Sequence, residues 1–143
     1  MRGRLNYRAL VDDAMRQVVV RVLDQVAQRG LPEGHALYLG FQPTHSEVAG
    51  LSVSLLAAHS HEMVIVLQRQ FWDLEAGVTC FGVTLNFDYL PHRLRIPYAA
   101  LTFFADKPVD FAVSFEPRAH AAAQSPPTGP RRLDLTPLNE GRA

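Results

Sequence analysis

The first periodic segment of the chain, residues 7 to 29, has the hydrophobic spacing of a helix. Apolar residues recur there at three- and four-residue steps, which places them on one helix face. The stripe consists of Val11, Met15, Val18, Val22 and Val26, with Val19 and Leu23 widening it. Asn6 is a suitable N-cap, and Gly30 followed by Pro32 is a typical helix end. Because the stripe covers more than one face, the helix must be buried on two sides, and a second copy of the chain is one way to cover it.

After Pro32 the apolar and polar residues alternate, which is the spacing of β-strands. The pattern predicts six short strands, at residues 35–41, 51–55, 63–68, 77–87, 92–97 and 109–116. The strand at 63–68 is almost wholly apolar, as in a strand buried on both faces. Asp88 and Tyr89 are predicted to form a hairpin turn, and Pro97 can begin a helix of one or two turns. The predicted fold is mainly β (α+β), a sandwich or small barrel behind an N-terminal helix.

The composition changes at Pro117, which divides the chain into a domain at residues 1–116 and a tail at 117–143. The tail has five prolines and no aromatic residue, so it cannot bury enough apolar surface to order itself. We therefore expect a disordered C-terminal tail. Within it, the segment "RRLDLTPL" (131–138) combines basic and leucine residues, a pattern found in short motifs that bind other proteins.

The charge balance and the single cysteine limit the possible classes of function. Fourteen Lys and Arg residues balance fourteen Asp and Glu residues, so nothing indicates a nucleic-acid partner. Cys80 is the only cysteine, which fits a reducing compartment. No apolar run approaches the length of about 18 residues that a membrane helix needs. The simplest expectation is a soluble cytoplasmic domain.

Two groups of residues could carry chemistry, and each has a plainer interpretation. His59, His61 and Glu62 could hold a divalent ion if they shared a strand face, but a polar loop explains them more simply. Cys80 could be a nucleophile only beside an activating base, and a small core residue is the simpler interpretation. No phosphate-binding loop or hydrolase motif is present. We expect no enzyme activity, no metal and no cofactor.

The segment "LQRQFWDL" (67–74) indicates a binding edge. Gln68 and Gln70 would project to the same side of an extended strand, and amides suit a peptide backbone because they donate and accept. Phe71 and Trp72 add the large apolar area that is typical of binding hot spots. The alternative is that Trp72 closes the end of the sandwich and the glutamines are solvated. The residues alone leave both interpretations open.

Two longer segments carry a resemblance to a known family. "EMVIVLQRQFWDLE" and "FDYLPHRLRIPYAALTFFADKPVDFAVSFEP" resemble the SspB family, the adaptors of the ClpXP protease, and are most similar to its alphaproteobacterial branch. The resemblance spans about residues 5 to 116. It implies an Sm/SH3-like β-fold behind an N-terminal helix, and a homodimer formed through that helix. It also implies binding of the ssrA degradation tag, a peptide added to products of stalled ribosomes, and delivery of tagged proteins to the ClpX unfoldase.

The resemblance assigns expected roles to individual residues. The tag groove would contain Gln68, Gln70, Phe71 and Trp72, with Val83 and Leu85 as apolar neighbours. The dimer interface would contain Val11, Met15, Val18, Val19 and Val22. The candidate ClpX-docking motif consists of Arg131, Arg132, Leu133 and Leu135, although the chain end "LTPLNEGRA" departs from the family's usual apolar and basic ending. Two rival hypotheses are a dimeric peptide-binding module without ClpX delivery, and an Sm-like RNA binder, which the zero net charge disfavours.

Overall fold

A computed structural model describes residues 5–116, which form one long helix followed by seven strands and one short helix. The two helices are α1 (Tyr7–Arg29) and α2 (Val53–Ala58). The strands are β1 (Leu37–Phe41), β2 (Met63–Leu67), β3 (Phe71–Ala76), β4 (Cys80–Phe87), β5 (Leu90–Pro97), β6 (Leu101–Asp106) and β7 (Phe111–Ser114). The predicted tail, with the docking candidates Arg131, Arg132, Leu133 and Leu135, lies outside the described residues.

The predicted N-terminal helix is confirmed, and both of its ends follow from local chemistry. The side chain of Asn6 accepts a hydrogen bond from the N–H of Ala9 at 3.1 Å, which satisfies a donor that the first turn leaves open. At the other end Gly30 has φ +85 and donates its N–H to the carbonyl of Val26 at 2.8 Å. Glycine adopts this conformation without a Cβ penalty. The buried face of the helix consists of Arg16, Val19, Leu23 and Val26.

Two antiparallel sheets form a sandwich over the main hydrophobic core, and Val64, Phe103 and Ala105 form a second, smaller cluster. The first has the strand order β2-β1-β6-β7 and the second has the order β3-β4-β5. In β4 every second residue is buried and the others are partly buried, because one face of the second sheet lies on the core. β2 and β6 are buried at every position. The prediction of a mainly β fold behind a leading helix is confirmed, and residues 5–116 form two sheets without a closed barrel.

One predicted element was wrong, and two strands, β3 and β6, were not predicted. Residues 51–55 do not form a strand, because Ser52 caps a short helix by accepting from the N–H of Leu55 at 3.2 Å. The segment after Pro97 makes only a single 3₁₀ turn before it continues as β6. β3 was not predicted as a strand, because its charged residues interrupt the hydrophobic alternation.

Arg16 is a buried charge that joins α1 to the far end of the described chain. Its guanidinium donates to the carboxylate of Asp12 at 2.9 Å, to the carbonyl of Tyr98 and to the carbonyl of Glu116 at 2.6 Å. It also lies over the ring of Phe115, at 4.6 Å from the centroid. A buried guanidinium is tolerated only when its donors are matched in this way. Arg16 therefore fixes where the chain leaves the sandwich after β7.

Candidate peptide-binding site

The chain passes from the first sheet to the second through a bend at residues 68–70. β2 is an edge strand of the first sheet and β3 is an edge strand of the second, so a three-residue connection joins the two edges. Gln68 is half-buried in this bend, whereas Arg69 and Gln70 are exposed. The expectation that Gln68 and Gln70 share one face of an extended strand was wrong, because the strand ends at Leu67. Both amides instead lie at the junction of the two sheets.

Phe71 and Trp72 open β3 and point to opposite faces of the second sheet. Phe71 pairs with the buried Leu85, so it faces the core, where it is partly buried. Trp72 pairs with Thr84 on the outer face and is 44% exposed. Successive side chains of a strand alternate between faces, so Phe71 and Trp72 lie on opposite sides of the edge strand β3.

Val83 and Leu85 are fully buried inward-facing residues of β4. The sequence suggested them as apolar neighbours of a ligand, but neither offers any surface to one. Leu85 instead lies opposite Phe71 on the neighbouring strand. Both residues therefore belong to the buried layer beneath the site, where Leu85 lies beside Phe71.

The inner face of the second sheet continues beyond the core at the β4–β5 turn. Phe87 pairs with Leu90, and His92 pairs with Leu85. The rings of Phe87 and His92 meet edge to face with centroids 5.2 Å apart, and Leu90 is 62% exposed. We call the set Phe71, Phe87, Leu90 and His92 the hairpin ledge.

The hairpin ledge lies at the same end of the sandwich as the bend at residues 68–70. The register places Phe71, the first residue after the bend, beside Leu85, two residues before Phe87. The sequence analysis missed Leu90 and His92. Leu90 and His92 are two residues apart and follow the predicted turn in "FDYLPH", so a strand there would have placed both on one face.

The turn at the end of the hairpin ledge has an unusual backbone. Asp88 has φ +53 and Tyr89 has φ +66, so both central residues are left-handed, which is the geometry of a type I′ hairpin turn. The predicted hairpin turn is confirmed. Such turns usually contain Asn or Gly, because larger L-residues are strained there. Tyr89 is nevertheless 83% exposed at the tip.

The outer face of the second sheet is braced by arginine rather than open. Arg93 donates to the carbonyl of Asp73 at 2.6 Å, and its Nη2 lies 3.3 Å from the Oε1 of Glu75. The guanidinium crosses β4 above Gly82, where a Cβ would come within 2.8 Å of Nη2. Asp73 has φ +53 at a bulge in β3. Bulges of this kind discourage pairing of an edge strand with another chain.

Cys80 lies on this outer face and is half-exposed, so its interpretation as a core residue was wrong. Arg95 donates its Nε–H to the Sγ of Cys80 at 3.2 Å. This hydrogen bond, together with the charge of Cys80, raises the pKa of Arg95. A higher pKa changes nothing at neutral pH, because the guanidinium is already protonated. Cys80 is placed outside because inward positions of β4 alternate with it, beginning at Phe81.

The candidate metal ligands do not converge. His59 follows α2, His61 is exposed in the loop, and Glu62 accepts a hydrogen bond from the hydroxyl of Thr102. Within residues 5–116 no group of three or more His, Cys, Asp or Glu side chains could hold a metal ion.

The candidate dimer residues on α1 differ in how much surface they offer. Val11 is 59% exposed and Val18 is 38% exposed, whereas Met15 and Val22 are partly buried against the core. Val19 is fully buried within its own chain, so it has no surface left for a partner. A groove of about 560 Å³ adjoins the second half of the helix. Its apolar lining includes Val18, Val22, Val26, Leu37, Phe104 and Phe111.

The sequence of the chain matches a known protein family. No curated protein matches the chain. A family model described as stringent starvation protein B, SspB, matches residues 9–134, a range that begins in α1 and includes all seven strands. Among residues 5–116, no helix has the length and hydropathy needed to cross a membrane. Because the match covers most of the chain, the chain belongs to the SspB family.

Proposed function

We propose that this chain is a cytoplasmic adaptor that binds the ssrA tag of proteins released from stalled ribosomes and delivers them to the ClpXP protease. Membership of the SspB family implies an adaptor role in ClpXP proteolysis. An adaptor needs a surface that binds its substrate and a segment that binds the protease. Neither interaction requires a catalytic reaction on the substrate.

The observation that carries the proposal is the partly exposed apolar surface at the end of the sandwich, beside two amide side chains. On the hairpin ledge Leu90 is exposed, whereas Phe71 and His92 are partly buried. Gln68 and Gln70 adjoin it in the bend that precedes Phe71. We propose that the tag lies across this junction in an extended form. The amides pair with its backbone, and the ledge removes its apolar side chains from water.

The proposal includes a homodimer that forms through α1. The exposed valines Val11 and Val18, together with the groove beside Val22, give this helix an apolar face that a second copy can cover. An apolar surface on the outside of a helix is a common interface feature. A dimer carries two tails, which allow two contacts with a single protease complex. These contacts raise the effective concentration of the bound substrate at the protease.

ClpX docking is assigned to the tail, with Arg131, Arg132, Leu133 and Leu135 as the proposed motif. A tethered motif converts the second binding event into an intramolecular one, with an effective concentration of about millimolar for short linkers. A chain truncated after Glu116 should therefore bind the tag normally but fail to accelerate ClpXP degradation of a tagged substrate. Unimpaired delivery by the truncated chain would favour the rival hypothesis, a dimeric peptide-binding module that does not serve ClpX.

Tag binding is tested by fluorescence anisotropy of a labelled ssrA-tag peptide, with a scrambled peptide as the comparison. We expect saturable binding of the tag alone. Gln68→Ala and Gln70→Ala should each weaken it by about 1–3 kcal/mol, because a polar group of the peptide loses its partner. Gln17→Ala is the matched control, since Gln17 is an exposed amide on α1. Unchanged affinity in both site variants would remove the amides from the groove.

A further inference from the structure

Tyr89 occupies a backbone conformation that a tyrosine adopts only with strain. Its φ is +66, and the residue before it, Asp88, also has a positive φ. The left-handed region crowds the Cβ of an L-residue, and glycine or asparagine avoids most of this cost. The side chain does not compensate through burial, because 83% of its surface is exposed. Strain of this kind is found where a residue serves a purpose other than stability.

The position of Tyr89 connects it to the hairpin ledge. Leu90, the next residue, is a member of the ledge and is 62% exposed, so two large exposed residues are adjacent in the chain at the tip. Phe71 pairs with Leu85, and the turn follows Leu85 by three residues. At about 3.4 Å per strand residue, the tip lies about 10 Å beyond Phe71. This distance corresponds to about three residues of an extended peptide.

We propose that Tyr89 is a specificity-determining residue that contacts an apolar or aromatic side chain of the bound peptide. This inference rests on the proposed function, because it assumes that an extended peptide lies along the hairpin ledge. The peptide residue concerned is about three positions from the one that contacts Phe71. A tyrosine ring suits this role, since it gives a large contact area with few rotatable bonds and tolerates water at its hydroxyl. The strained turn holds the ring at the tip before the peptide arrives.

The test uses Tyr89→Gly in the full chain, because strain and binding predict opposite changes. Removing the strain should raise the Tm by about 2–5 °C for a domain of this size. Removing the ring should weaken binding of the labelled tag peptide about five- to tenfold. Tyr89→Phe keeps the ring and should bind like the unmodified chain. Tyr89→Asn also accepts a positive φ, and it should repeat the loss of affinity in a second folded variant.

A set of tag peptides with single alanine substitutions identifies the peptide side chain. One apolar or aromatic position should weaken binding to the unmodified chain but have little effect on Tyr89→Gly, because the two groups contact each other. Equal tag affinity of Tyr89→Gly and the unmodified chain would overturn the inference and leave the proposed function intact. A folded unmodified chain that does not bind the tag would overturn both.

Discussion

The second sheet ends in two different ways. At one end β5 is followed by Tyr98, whose carbonyl accepts from the buried Arg16 and whose hydroxyl donates to the carbonyl of Gly77 at 3.1 Å. At the other end β4 and β5 meet in the turn of Asp88 and Tyr89, where positive φ values coincide with exposed apolar side chains. At the first end Tyr98 is buried and hydrogen-bonded through both its carbonyl and its hydroxyl, and at the second end the turn is strained and exposed.

The difference indicates a division of labour between the two ends. Buried polar groups that are hydrogen-bonded to each other stabilise a fold. If one of them is removed, its partner remains buried without a hydrogen bond to protein or water. Exposed apolar groups on strained backbone reduce stability and are useful only when a ligand covers them. Substitutions at the Tyr98 end should therefore change stability without changing tag affinity, whereas substitutions at the hairpin end should change tag affinity. Three predictions test this division.

The largest expected effect is that of Arg16→Ala on the free energy of unfolding. The substitution leaves the carbonyls of Tyr98 and Glu116 and the carboxylate of Asp12 without their shared donor. Removing one partner of a buried charge network typically destabilises a protein by about 3–5 kcal/mol. Denaturant unfolding followed by circular dichroism measures the change.

Arg21→Ala is the matched control for Arg16→Ala, because Arg21 is an exposed arginine on the same helix. It should shift the unfolding free energy by less than about 0.5 kcal/mol. At a temperature where Arg16→Ala remains folded, its tag affinity should equal that of the unmodified chain. A loss of affinity in the folded variant would break the division between the two ends.

The second prediction concerns alkaline pH at the Tyr98 end. Burial, and then the negative charges of Cys80 and Asp24, raise the pKa of Tyr98 to about 12. Because an unfolded tyrosine has a pKa of about 10, the folded chain holds this proton more tightly. The contribution to stability is complete below pH 10 and is lost as the pH rises from about 10 to 12. This loss is at most about 3 kcal/mol, because each pKa unit corresponds to about 1.4 kcal/mol.

Tyr98→Phe should remove this pH dependence, and it should also lower stability by about 1 kcal/mol at neutral pH because the hydrogen bond to Gly77 is lost. Unfolding curves at several pH values between 8 and about 12, for both chains, measure the difference. If both chains lose stability equally over this range, the alkaline transition belongs to other groups.

The smallest expected effect separates two neighbouring aromatic residues. Phe71→Ala should weaken tag binding about tenfold, which is about 1.4 kcal/mol, because the ring is part of the hairpin ledge. Trp72→Ala should change affinity less than about twofold, because its ring lies on the outer face, paired with Thr84. Anisotropy titrations of the two variants give the ratio directly. Equal losses would show that the peptide reaches the outer face of the second sheet.

The sequence predicted the helix and most strands because their signals are local. α1 shows its period and its caps within a single segment, and the alternation in β4 is visible residue by residue. The short helix α2 was missed because Leu51, Val53 and Leu55 alternate with serines, a pattern that a strand shares. Only the hydrogen bond from Leu55 to the side chain of Ser52 decides between the two.

The candidate site was predicted only in part because it depends on where strands end. The sequence placed Gln68, Gln70 and Phe71 together correctly as neighbours, but it could not show that β2 stops at Leu67. Because β2 ends there, Gln68 and Gln70 lie in a bend. Phe71 and Trp72 then begin β3 and lie on opposite faces of the second sheet. Leu90 joins the site through pairing with Phe87, which is a property of the hairpin rather than of either residue.

Arg16 also constrains the order in which the domain can be completed as it is synthesised. Its hydrogen bonds reach residues 82 and 100 positions later in the chain, to Tyr98 and Glu116. Closing such long loops is entropically costly, and contacts of high sequence separation form late in folding. α1 precedes every strand in the chain, yet its buried arginine is paired only with Asp12 until β5 and β7 have emerged. The valine residues of α1 therefore stay exposed until nearly the whole domain has been synthesised.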